Sequence, residues 1–284
     1  MPPPAPTRIE AFPSAARGAA AALVALSRGS LPLLCALAAL ATDPPLELPQ
    51  LLDLLLSFAL LPALAAFAIG RSLRGEASLE GGNLVLRRRA LRVEVPLASI
   101  AGIEPWSVPL PRPGFALRLG SGARLRWALA SPDPGALLRA LAAAGATAAA
   151  AAASHPSLVY AAARAGAGRH FWQRPVVKFV LFALLPGGVG FYAHQHIAYG
   201  GLLGEYYMMG LSAYLRTAAV YWLNSAVLLL LYGSAWRALV EAAAFAAAHL
   251  APRRAGAVRW VTEGGAAALY YASVPALLAL RFLG

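Results

Sequence analysis

Four apolar runs of near membrane-crossing length, at residues 51–69, 176–192, 217–236 and 261–280, constrain this chain more than anything else in it. A crossing helix takes roughly 20 predominantly apolar residues, and a soluble domain would have to bury all four runs. The charge content agrees: 60% of residues are hydrophobic and 13% charged, against about 25% charged in ordinary soluble domains. A further apolar block at 31–41 is short and must borrow residues from Ser27 onward or from the connector after it. That connector, Thr42-Asp43-Pro44-Pro45-Leu46-Glu47-Leu48-Pro49, is turn-rich and acidic, so blocks 31–41 and 51–69 read as a hairpin. The chain is expected to be an α-helical integral membrane protein with about five transmembrane helices.

Ahead of the hairpin, Pro2, Pro3, Pro4 and Pro6 open a tail without the charge-then-apolar order of a cleaved signal. The tail is therefore expected to stay in the protein. Residues 15–26 carry Arg17 and end at Arg28. They read as an interfacial amphipathic lead-in or as the first half of a tilted span. From Arg71 the pattern changes to short strand-like runs, among them 83–86, 91–95, 115–119 and the alternating 123–129. Gly81-Gly82, Pro111-Arg112-Pro113-Gly114 and Gly120-Ser121-Gly122 punctuate them as turns. Ser131 or Asp133 then caps a helix over 135–144 with proline in its first turn. Five short strands closed by one helix is the order these residues spell.

The stretches Leu79-Glu80-Gly81-Gly82-Asn83-Leu84-Val85-Leu86 and Val95-Pro96-Leu97-Ala98-Ser99-Ile100-Ala101-Gly102-Ile103, with the helix opening at Asp133-Pro134, carry a resemblance. Together they resemble the bacterial pleckstrin-homology-like domain that many bacterial membrane proteins insert beside their transmembrane helices. The resemblance covers residues 72–146 and implies an abbreviated version of that fold, a scaffold or ligand-docking module with no catalytic residues.

The expected organisation is a tail and lead-in at 1–28, a transmembrane hairpin at 29–70, and the β-rich domain at 72–146. An Ala-rich basic linker helix at 147–174 and transmembrane helices at 175–284 follow, with 193–216 as an interfacial segment. Charge sets the orientation. Placing the tail, residues 71–178 and residues 237–259 on one side leaves only Arg216 and Arg281 of the 24 lysines and arginines elsewhere. The other side holds Asp43, Glu47, Asp53 and Glu205. The positive-inside rule puts the N-terminus and β domain in the cytoplasm and 193–216 in the periplasm of a bacterial inner membrane. Alanine-rich composition with arginine far ahead of lysine suits a GC-rich bacterial genome. The net charge of +12 is accounted for by such loops and does not call for nucleic acid. The single cysteine, Cys35, lies in an apolar run and reads as a packing residue.

Two groups of residues bear on function. Tyr192, His194, His196, Tyr199, Glu205 and Tyr206 concentrate chemistry in a chain with few polar side chains. Here His194, His196 and Glu205 could ligate a metal or haem, or a histidine could act as a general base. Against a metal, histidines at i and i+2 diverge on a helix. Tyr192, Tyr199 and Tyr206 recur every seven residues along one helical face, as an aromatic membrane-interface belt would have them, and this is the favoured reading. The second group, Arg87, Arg88, Arg89, Arg92, Arg124 and Arg126, would form a basic sheet face. Tethered at a bilayer, such a face attracts anionic head groups at about 1 kcal/mol per residue, or holds an acidic protein partner within a membrane complex; solvated loops obeying the charge rule are the plain alternative. No phosphate loop, H-E-x-x-H or G-x-S-x-G occurs, and the sequence singles out no cofactor. The expectation is a non-enzymatic scaffold or regulator, with a membrane enzyme or small transporter built around His194, His196 and Glu205 as the alternative.

Overall fold

The apolar runs form helices because their alanine and leucine content favours the helix and because a helix satisfies its own backbone hydrogen bonds in an apolar medium. The computed structural model of the chain describes residues 7–40, 46–88, 91–168 and 171–283. Among these, five helices are long and apolar enough to cross a membrane: Ser14–Leu40, Leu48–Ser72, Val176–Tyr199, Gly204–Leu250 and Pro252–Phe282. For the first, the structure has the second of the two readings of residues 15–26, the first half of a span. The lead-in and the short apolar block are one helix, α1 (Ser14–Leu40), which runs through Pro32. Helix formers continue without a break across 15–26, and a proline is tolerated inside a membrane-length helix.

The second membrane-length helix comprises α2 (Leu48–Leu54), a π-helical stretch (Leu55–Leu60) and α3 (Leu61–Ser72). The described residues divide into two compact units, Met1–Gly29 with Ser57–Ala167 and Glu241–Trp260, and Ser30–Leu56 with Gly168–Val240 and Val261–Gly284.

The first unit holds seven strands: β1 (Thr7–Phe12), β2 (Arg74–Glu80), β3 (Asn83–Arg88), β4 (Leu91–Pro96), β5 (Ile100–Pro105), β6 (Gly114–Leu119) and β7 (Ala128–Ala130). They form one antiparallel sheet in the order β4-β3-β2-β1-β7-β6-β5. Seven strands replace the expected five. The largest correction is at the N-terminus: the residues read as tail supply the central strand. Glu10 pairs with Arg74 on one side and with Ala130 on the other. The β domain is thus not confined to 72–146. Gly81 and Gly82, with φ of 56° and 79°, make the tight β2–β3 hairpin turn that needs left-handed backbone at both positions.

Strand alternation sends Ile9 and Phe12 to opposite faces of the sheet. Ile9 joins the main core with Leu84, Leu86, Val95, Phe115, Leu117 and Leu129. Phe12 packs with Ala20 of α1, Leu73, Trp106 and Ala130. The main core is closed by α4 (Pro134–Ala143), α5 (Thr147–Ala152) and α6 (Pro156–Gly166). Asp133 caps α4, its Oδ1 accepting from the Ala136 N–H at 3.1 Å. The polyalanine segment read as a linker is core: Ala146, Ala149 and Ala152 are buried against the sheet with Leu158. Alanine is what lets α5 approach so closely. Ala149→Glu is expected to destabilise the unit by about 2 kcal/mol or more, because it buries a carboxylate with no partner. The neighbouring Ala150 is exposed, and Ala150→Glu is expected to stay within about 0.5 kcal/mol of the parent. Thermal unfolding in detergent compares the two, and equal midpoints would refute the core assignment.

In the second unit, Leu34, Leu51, Val227 and Leu231 form one packed cluster. Ala183, Leu229, Tyr270 and Val274 form another. The third membrane-length helix begins with a π-helical stretch, Val176–Leu181, and continues as α7 (Leu184–Tyr199). Its Gly187 is a close-packing point: a Cβ there would lie 2.9 Å from the Trp222 Cα. Then come α8 (Gly204–Leu250), kinked at Gly210, and α9 (Ala255–Leu283), of which residues 241–250 and 255–260 belong to the first unit.

Candidate functional site

The tyrosine and histidine group lies where α7 meets α8. Gly200 ends α7 in the left-handed conformation with φ of 71°. Tyr206 therefore lies on the next helix, and the expected single face of Tyr192, Tyr199 and Tyr206 is broken. A sequence period of seven aligns residues only while one helix continues. His194 and His196 are intermediate and exposed respectively, while Gln195 between them is fully buried. This is what a turn of 100° per residue imposes. His194 packs its ring near those of Tyr199 and Tyr221, at 5.8 and 5.2 Å. His196 stacks toward Tyr192 at 4.1 Å, and its Nδ1 lies 2.9 Å from the Tyr192 carbonyl.

Glu205 is buried at 4% exposure, and its partners were not legible as a group. Gln195 Nε2 donates to Glu205 Oε2 at 2.5 Å, and the Thr217 hydroxyl donates to Oε1 at 2.7 Å. The Glu205 N–H returns to Gln195 Oε1 at 3.4 Å. Both carboxylate oxygens are occupied by neutral donors of the chain itself, which ties the two helix ends together. Among the described residues no three of His, Cys, Asp and Glu lie where they could hold a metal ion. Tyr206, Tyr207, Met208 and Met209 are all exposed.

The arginines expected on one sheet face are divided between the two ends of the strand order. At the β3–β4 end, Arg87 and Arg92 reach Glu80 at 2.8 and 3.2 Å, and Arg92 also reaches Glu94 at 2.8 Å. The Ser78 hydroxyl donates to Glu80 at 2.7 Å and, with the two arginines, holds that carboxyl below its ordinary range. Arg88 donates to the Ser72 carbonyl at 3.3 Å. Arg89 lies outside the described residues. At the β5–β6 end, Arg124 pairs with Glu104 at 2.7 Å.

Residues 123–127 do not form the expected strand. They pair with β6 through the Arg118–Arg124 bridge, and the register shifts before β7 begins, leaving Arg126 exposed. Arg124 and Arg126 line a cavity of about 940 Å³ with Arg17, Gly18 and Ala21 of α1 and with Trp106. The Arg17 guanidinium sits 4.8 Å from the Trp106 ring.

Two further polar groups lie on the last two helices. Arg259 is 1% exposed, and its two terminal nitrogens contact the two Glu241 oxygens at 3.1 and 3.2 Å. The Tyr160 hydroxyl donates to the same carboxylate. Burial, and next the Glu241 carboxylate, push the Tyr160 hydroxyl above its ordinary range, so it remains a donor. Arg237 pairs with Glu263 at 3.2 Å. The available signal was sparseness: Glu241 stands in an alanine-rich helix, where a carboxylate that becomes buried needs a cation. The chain matches no protein-family model, no curated protein and no solved structure.

Proposed function

We propose that this chain is a non-enzymatic, multi-pass protein of a bacterial inner membrane whose sheet unit docks anionic lipid head groups, as a scaffold or regulator. One observation carries the reading. β1 enters α1 after the single residue Pro13, and α3 ends one residue, Leu73, before β2. β1 and β2 are paired to each other, and the Ala11 N–H donates to the Leu73 carbonyl at 3.0 Å. Two adjacent strands are thus direct extensions of two membrane-length helices. With those helices in a bilayer, the sheet sits at the head-group layer without a linker.

Arg17, Arg124 and Arg126 around the Trp106 cavity and Arg88 beside the α3 terminus are the residues assigned to head-group contact. The sheet unit is then the pleckstrin-homology-like module, and the arginine distribution supports a cytoplasmic side for it. The closed Gln195–Glu205–Thr217 network and the outward tyrosines support an interfacial, structural role for the α7–α8 connection.

Hydrogen–deuterium exchange on the full chain in nanodiscs tests this. Phosphatidylglycerol, compared with phosphatidylcholine, is expected to protect residues 14–18 and 123–127 severalfold, and Arg124→Glu with Arg126→Glu to abolish the difference. Exchange indifferent to lipid charge would overturn the proposal and leave an acidic protein as the ligand to seek.

A further inference from the structure

A second cavity, of about 800 Å³, lies in the other unit and is lined by Arg174, Lys178, Trp236, Arg237, Glu263 and Tyr271, with apolar side chains between them. Its charges do not balance. Glu263 is engaged by Arg237 at 3.2 Å. Among the described residues no carboxylate is ion-paired with Arg174 or Lys178. The Lys178 ammonium instead lies 4.2 Å from the centre of the Tyr270 ring and 5.4 Å from that of Phe179.

The position of the lysine is built rather than incidental. A Cβ on Gly233 would lie 2.9 Å from Phe179 Cε1 and 3.1 Å from both Lys178 Cε and Nζ, so the glycine lets the lysine side chain lie close against this helix. The Tyr270 hydroxyl donates to the Lys178 carbonyl at 3.0 Å, and Tyr232 stacks on the Tyr270 ring at 5.6 Å. A cation held over aromatic faces keeps its charge available to an anion in the cavity. The volume is far larger than a bare phosphate needs, and Leu31, Phe179, Leu230 and Val240 among its walls suit hydrocarbon.

We propose that this cavity is a binding site for one anionic phospholipid, with the phosphate on Lys178 and Arg174 and the first acyl carbons against the apolar wall. The site is separate from the sheet arginines and stands without them.

The test uses the full chain in neutral detergent, with dioleoyl phosphatidylglycerol, dioleoyl phosphatidylcholine and inorganic phosphate as probes. Native mass spectrometry and unfolding temperature are the readouts. Phosphatidylglycerol is expected to be retained and to raise the unfolding temperature, with the other two much weaker. Lys178→Met and Arg174→Gln are each expected to weaken phosphatidylglycerol binding about tenfold. Arg174 is exposed, so its variant folds even if the lysine variant does not. Arg124→Glu with Arg126→Glu is expected to leave this site intact, which separates it from the sheet. Equal binding of phosphatidylcholine, equal binding of inorganic phosphate, or no loss in the Arg174 variant would each overturn the assignment.

Discussion

Glu241→Ala is expected to destabilise the sheet-containing unit by about 3–5 kcal/mol, the cost of removing one partner from a buried ion pair. Arg259 is the most buried cation among the described residues, at 1% exposure, and both terminal nitrogens lean on this one carboxylate. The substitution takes that carboxylate away while the guanidinium stays out of water. It also removes the acceptor of the Tyr160 hydroxyl. A double variant, Glu241→Leu with Arg259→Met, is expected to regain most of the loss, because an apolar pair of similar volume often replaces a buried ion pair at little cost. Tyr160→Phe should cost about 1 kcal/mol, the net worth of one hydrogen bond. Unfolding of all three in detergent, monitored by tryptophan fluorescence, measures the set. A double variant no more stable than Glu241→Ala alone would show that packing, not charge, holds these helices.

The second large effect is expected at Phe12. Its ring is 1% exposed and meets Trp106 edge-on at 6.4 Å with an interplanar angle of 76°. Phe12→Ala should cost about 3–5 kcal/mol, the usual range for an aromatic truncated in a core. The loss falls on the strand that joins β2 to β7, so the two halves of the sheet, β4-β3-β2 and β7-β6-β5, should loosen together. Arg8 on the same strand is exposed, and Arg8→Ala should change stability by less than about 0.5 kcal/mol. Limited proteolysis within 81–130, alongside thermal unfolding, reads both. Similar resistance in the two variants would contradict a central, buried β1.

Much of the helical architecture was legible, because residue type alone marks an apolar run. The Gly81-Gly82 turn and the Asp133 cap were legible for the same local reasons. What escaped was non-local. Thr7–Phe12 has the alternation of a strand, yet six residues behind a proline-rich start carry no sign that β2 and β7 will accept them on both edges. The polyalanine segment gave its conformation but not its burial, since alanine suits a core and a surface equally. The arginines were grouped by closeness in sequence, whereas hairpin pairing brings Glu80 opposite Asn83 and within reach of Arg87 and Arg92. At the α7–α8 junction the histidines drew attention by type. The residue that is buried and bonded is Gln195, whose amide both donates and accepts in the reciprocal arrangement Glu205 requires.

The central position of β1 also sets a timetable. It is the first part of the sheet to be synthesised, yet the Ala130 that completes its second edge follows both helices of the hairpin and all the other strands. At about 5–20 residues per second, that delay is on the order of ten seconds. Until then β2 can cover only one edge of β1, and the other stays open to wrong partners. Pairing of such high sequence separation is also slow to form. Folding of this chain should therefore be limited by the closing of its sheet rather than by the formation of its helices. Pulse-labelled protease resistance of the sheet should lag behind the synthesis of β1 by that interval.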